Sequence, residues 1–288
     1  MIIGHQKQWN YLKKIAKSER IPHALLFSGG EHLGKKTIAL EFIRLLFGRD
    51  FKSLKGHPDF ILITPTESEI QIAQIRELIW KLSLKPSLAP IKAAIIDQAH
   101  LMNQEAQNCF LKTLEEPRGN TILILITEYP EMLFPTILSR CQIIKFYPIK
   151  KEEIENYFKN QGVKEGKIKE ILEISNNKPG EALDFLMEPQ KLEERIQRKK
   201  ELVKILKSDL SFRFQYAKEI SKESNLKEIL NIWLSCFREN LLTNLNSKQP
   251  EILKKLKNIL QKIQSTIFLI STTNVNPRLA LEILMLEI

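Results

Sequence analysis

Short uninterrupted apolar runs alternate with helical spacings through the first half of the chain. Ala24-Leu25-Leu26-Phe27 predicts a buried strand, followed by a Gly-containing loop over 28–34 and a helix over 35–47. Further strands are expected at 60–63, 93–97, 122–126 and 143–146, with helices over 70–82 and 103–116 and a short one over 131–138. Ile72, Ile75 and Ile79 mark one side of the 70–82 helix, and Pro117 stops the 103–116 helix. Continuously apolar strands separated by helices imply a parallel sheet covered on both faces. The first half therefore reads as α/β with a five-stranded parallel sheet.

After Tyr147-Pro148 the strand pattern ends. Three short helices are expected over 152–158, 167–174 and 180–187, between Pro148 and Pro189. From Lys191 onward the spacing is helical throughout. Ile252, Leu256, Ile259, Ile263, Ile267 and Ile270 form one apolar stripe, and Leu230, Trp233, Phe237 and Leu241 form another one helix earlier. The last helix opens on Asn276-Pro277-Arg278, where Asn can cap free N–H groups and Pro costs nothing in the first turn. The divisions are 1–148, 149–190 and 191–288.

Composition narrows this picture a little. The chain has 288 residues, enough for two or three domains, each with its own core. Its 44 Lys and Arg against 34 Asp and Glu leave a net charge of +10, spread along the chain. Such a diffuse excess suits work near nucleic acid and equally suits a Lys-rich cytosolic protein. Cys109, Cys141 and Cys236 are far apart and odd in number, so neither a disulfide framework nor a Cys-based zinc spacing follows. The first seven residues lack a basic region leading into an apolar run, and apolar runs reach only about five residues, far below a membrane span. A soluble, cytoplasmic protein is expected.

Candidate chemistry lies first in Gly29-Gly30-Glu31-His32-Leu33-Gly34-Lys35-Lys36-Thr37. This run fits seven positions of the phosphate-binding G-x-x-x-x-G-K-[ST], in which backbone N–H groups and a helix start face phosphates and a Lys reaches the terminal ones. Gly29, Gly34 and Lys35 are retained. The hydroxyl that would hold Mg²⁺ is replaced by Lys36, and Thr37 is no easy substitute because one helical step turns a side chain by roughly 100°. A second segment, Ile95-Ile96-Asp97-Gln98-Ala99-His100, resembles a D-E-A-H strand end. Asp97 could bear on a metal shell, but Gln98 stands where a Glu would deprotonate the attacking water, and a neutral amide cannot take a proton at neutral pH. The third segment is Ser139-Arg140-Cys141, on a turn between a short helix and a strand. By itself Arg140 reads as an exposed residue closing a helix, where it favours the carbonyl end of the dipole.

Ile3-Gly4-His5-Gln6, Ile21-Pro22-His23-Ala24-Leu25-Leu26-Phe27, Leu111-Lys112-Thr113-Leu114-Glu115-Glu116-Pro117 and Ser139-Arg140-Cys141 together resemble bacterial clamp-loader subunits of the AAA+ class. Gly56-His57-Pro58-Asp59 and Asn274-Val275-Asn276-Pro277-Arg278-Leu279 extend that resemblance to nearly the whole chain and narrow it to the loader of DNA polymerase III. The resemblance implies an α/β P-loop AAA+ domain over 1–148, a small helical lid over 149–190 and an all-helical collar over 191–288. It further implies a hetero-pentamer with gamma/tau-like ATPases and a delta-like subunit, which loads a sliding clamp onto primer–template DNA.

In that family the Ser-Arg-Cys arginine enters the neighbouring subunit's ATP site, which makes Arg140 a finger acting in trans, with Ser139 and Cys141 shaping its turn. Lys112 becomes a DNA-proximal candidate, because its helix lies near the channel. Four zinc-binding Cys common in the family are missing from 48–56, so no zinc is expected and His57 is a turn residue. Gly180 falls near the position where hydrolysing relatives carry a lid Arg. The expected protein is a non-hydrolysing loader subunit, not itself an enzyme, with no cofactor required. Residual ATP binding without hydrolysis stays open at Gly29, Gly34, Lys35 and Asp97. The alternative is an ATP-hydrolysing gamma/tau-like motor subunit.

Overall fold

The computed structural model describes residues 2–18, 21–48, 54, 56–66, 68–117, 119–244 and 250–288. They form two compact units, 1–183 and 184–288. Most of the 48–56 segment that bears on zinc lies outside the described residues.

The first unit is built on five strands: β1 (Ala24–Ser28), β2 (Phe60–Ile63), β3 (Lys92–Ile96), β4 (Thr121–Thr127) and β5 (Gln142–Lys145). All pairings are parallel, in the order β2-β3-β4-β1-β5. The strands are apolar on both sides because both faces are covered. Leu25, Phe27, Ile95, Ile122, Ile124 and Ile144 face helices α1 (Gln6–Ala16) and α2 (Lys35–Phe47). Their neighbours Ala24, Leu26, Ile96, Leu123 and Leu125 face α3 (Ile72–Ser83), α4 (Gln104–Glu115) and α5 (Pro135–Leu138). Each fully buried Leu, Ile or Phe stabilises the fold by roughly 1.5–3 kcal/mol.

Several boundaries differ from the sequence reading for identifiable reasons. β3 begins one residue early, at Lys92, because this lysine is buried and its Nζ lies 3.6 Å from Asp59. The helix expected over 131–138 is broken into a 3-10 turn, Pro130–Met132, and α5. Each piece starts on a proline, which lacks the N–H needed to continue a preceding helix. The last strand is Gln142–Lys145, one residue before the expected 143–146. Helix α1 has no counterpart in the sequence reading.

Helices α6 (Lys151–Asn160), α7 (Glu165–Ile174) and α8 (Pro179–Met187) follow the sheet, and the division between units falls inside α8. Ile154, Phe158, Ile168 and Ile171 are buried here. The second unit continues with α9 (Pro189–Leu206), α10 (Leu210–Ile220), α11 (Leu226–Asn244), α12 (Pro250–Thr272) and α13 (Pro277–Glu287). Its core gathers Leu230, Trp233 and Phe237 of α11 with Ile259, Ile263 and Ile267 of α12 and Leu281 and Leu284 of α13. The α12 stripe is thus core at its centre, whereas Ile252 at the helix start is exposed. Among the described residues, no helix is long and apolar enough to cross a membrane.

Candidate functional site

Parallel strands place all their C-terminal ends on one edge of the sheet, and ligands of such sheets bind there. Here β1 runs out into the Gly29–Gly34 loop, β3 into Asp97 and β4 into Glu128. Gly29 has no room for a side chain, since a Cβ would sit 2.4 Å from the Phe146 carbonyl oxygen. Gly34 adopts φ 82° and hands the chain into α2, where Lys35 is buried. The Lys35 ammonium donates to the carbonyls of Gly29 and Gly30, turning back onto its own loop. Burial lowers its pKa; Glu128, Glu31 and Asp97 oppose that shift, and Lys178 adds to it.

Lys36, the residue in the hydroxyl position, puts its Nζ 2.9 Å from Asp97 Oδ2. Asp97 Oδ1 accepts from the backbone N–H of Gln98, whose own side chain is exposed. His100 is buried with a ring nitrogen 3.2 Å from Thr127 Oγ1, which accepts from the Tyr129 N–H. The loop also meets α8: the N–H of Gly180 donates to the His32 carbonyl at 2.8 Å, and a Cβ at position 180 would lie 2.8 Å from that oxygen. Glycine is thus the residue that fits there, and an Arg would have to displace backbone.

The Mg²⁺ that phosphate loops use does not fit these residues. Its hydroxyl ligand is missing, and an ammonium sits on the carboxylate expected in its coordination shell. Gly29, Gly34, Lys35 and Asp97 lie at this one edge of the sheet, with Lys35 and Asp97 on partners within the chain.

Arg140 lies at the opposite edge. It precedes β5, and the helices run back against the strands, so the C-terminal end of α4 arrives at the same place. Arg140 Nη2 is 2.6 Å from Glu115 Oε1, and Nη1 donates to the Thr136 carbonyl at 2.9 Å. Ser139 Oγ donates to the same carbonyl at 3.1 Å. Cys141 is buried, which pushes its thiol pKa up to about 12 and leaves it an inert packing group. Lys112 is exposed on α4 and lines a groove of about 440 Å³ with Arg76 and Trp80.

Two positioning groups were missed from sequence. Glu115 enters the sequence reading only as part of the Leu-Lys-Thr-Leu-Glu-Glu-Pro run. Gln107 carried no signal at all. Its buried amide donates to the carbonyls of Met102 and Met132 and accepts from the Phe134 N–H at 2.8 Å, fixing the approach to α5 and the Arg140 turn. His57 is in a turn, its Nδ1 accepting from the Asp59 N–H at 3.1 Å.

A family model described as DNA polymerase III, delta subunit, matches residues 4–150. The chain is 33% identical over 174 residues to DNA polymerase III subunit delta' of Bacillus subtilis (strain 168), covering 56% of this chain and 53% of that one. Against the protein of the same name in Pseudomonas aeruginosa the identity is 41% over 135 residues, 41% of each chain. A Replication factor C small subunit of Methanococcus vannielii is 30% identical over 165 residues, 57% of this chain and 50% of that one. The chain spans about half the length of the curated relatives it matches.

Proposed function

The chain belongs to the DNA polymerase III delta subunit family, and from that premise we propose that it is a delta-prime-like, non-hydrolysing subunit of the clamp loader. It packs with gamma/tau-like ATPases and a delta-like subunit in a hetero-pentamer that loads the sliding clamp onto primed DNA, and Arg140 completes a neighbour's ATP site.

The observation that carries this reading is the separation of Arg140 from the chain's own phosphate loop. β1 and β5 pair in parallel, with Leu25 beside Gln142 and Ser28 beside Lys145. Gly29 follows one end of that pair and Arg140 precedes the other, so about 13 Å of strand lies between them at roughly 3.3 Å per residue. A guanidinium so placed serves a site on another subunit. Its planar fork and permanent charge suit the charge that spreads over a γ-phosphate during hydrolysis. The Glu115 pair and the Thr136 carbonyl hold it in a half-exposed pose. Because exposed ion pairs contribute only about 0–1 kcal/mol, a phosphate can draw the arginine away at little cost. A hydrolysing motor subunit would instead need a base where Gln98 stands.

Arg140→Ala in the assembled loader is expected to leave assembly intact and to lower DNA-stimulated ATP hydrolysis at the neighbouring site by about 10³-fold or more. Single-turnover hydrolysis, with the subunit composition checked by gel filtration, makes the measurement. Wild-type hydrolysis and clamp loading by that variant would remove the role assigned to Arg140.

A further inference from the structure

The pocket at the C-terminal edge combines two features that the loss of hydrolysis does not require. Two of its cations are engaged within the chain: Lys35 on the Gly29 and Gly30 carbonyls, and Lys36 on Asp97. Around Lys35 stand Glu31, Glu128 and Asp97, whose charges act on it together with that of Lys178. Three lysines, counting Lys36, thus stand with three carboxylates around this loop. The lid side is closed as well, since Gly180 donates its N–H to His32 with no space for a side chain between them.

We propose that the Lys36 ammonium is a built-in replacement for the divalent cation, bridging the start of α2 to Asp97, so that this pocket takes neither Mg²⁺ nor a nucleoside triphosphate. The proposal rests on the non-hydrolysing reading and goes further, because a subunit can bind ATP without cleaving it. The physical reason is charge balance. An entering triphosphate must displace Lys35 from two carbonyls and meets Glu31, Glu128 and Asp97, while a magnesium ion meets an ammonium already on its carboxylate. A Thr at position 36 would remove that cation and return the hydroxyl at the same helical position. A cation-retaining Arg would not. The loop and the lid contact then hold one arrangement regardless of nucleotide, which suits a rigid member of an assembly whose other subunits cycle.

The test is thermal unfolding of the full chain with about 1 mM ATP, with Mg²⁺ or with EDTA. A micromolar site under that excess would raise Tm by roughly 8 °C or more. The wild-type protein and Lys36→Arg are expected to shift by less than about 1 °C in either condition, and Lys36→Thr to rise by several degrees only with Mg²⁺ and ATP together. A Mg²⁺-dependent rise in the wild-type protein overturns the proposal, whatever the variants do. So does a rise in Lys36→Arg equal to that of Lys36→Thr, or a Lys36→Thr protein that melts cooperatively and ignores Mg-ATP. None of these outcomes touches the Arg140 role, which the hydrolysis assay in the assembled loader reads separately.

Discussion

Asp59 has no exposed surface, yet it carries a charge. Burial alone would raise its pKa. The backbone N–H groups of Ala89, Leu88 and Ser87, at 2.9, 2.7 and 2.8 Å, together with Lys92, outweigh that and hold it at about 2. Three consecutive donors from one loop make this carboxylate the anchor of the segment entering β3. The folded pKa lies below the unfolded one, so the stabilisation is full above about pH 3.9 and is lost as pH falls towards 2. Asp59→Asn is expected to cost about 2–3 kcal/mol at pH 7 and to flatten the stability curve between about pH 4 and 2, measured by urea unfolding. An unchanged acid limb would show that the anchor is not electrostatic. In sequence, Gly-His-Pro-Asp served only as a mark of resemblance; its physical work needed the 87–89 loop in view.

At the scale of elements, legibility followed the strength of start and stop signals. α13 was anticipated because Asn276 precedes Pro277, and the Asn276 carboxamide does accept from the Arg278 N–H at 3.0 Å. Asn276→Ala should therefore lower stability by about 1 kcal/mol, with an unchanged denaturant slope. A loss below about 0.3 kcal/mol would mean that water replaces the cap. α1 went unseen for the opposite reason. Its first flanking residue is His5 at φ 54°, with no side-chain cap, and only Leu12 and Ile15 are buried along a Lys-rich stretch. The 131–138 helix erred through its prolines: the apolar spacing of Leu133 and Ile137 is real, but Leu133 reaches the core from the extended backbone between two short pieces and Ile137 from the second of them.

At the scale of the molecule, each unit has its own core, two apolar layers around the sheet in the first and one helical cluster in the second. Fragments 1–188 and 189–288, cut between α8 and α9, should each unfold cooperatively when expressed alone; a fragment without a thermal transition by circular dichroism would refute this. The sequence by itself marked the five strands and most of the helices, Lys36 and Gln98 at the hydroxyl and Glu positions of the two motifs, and Arg140 in a helix-to-strand turn. These are local matters, because periodicity and residue chemistry act along one element. Tertiary structure alone decided the order β2-β3-β4-β1-β5, the engagement of Lys36 by Asp97, the hold of Glu115 on Arg140, and the splitting of the two candidate sites between opposite edges of the sheet. Parallel strands distant in sequence become neighbours only when both faces of the sheet are buried together. The partner that a long charged side chain finds depends on which strand ends that packing brings within its reach.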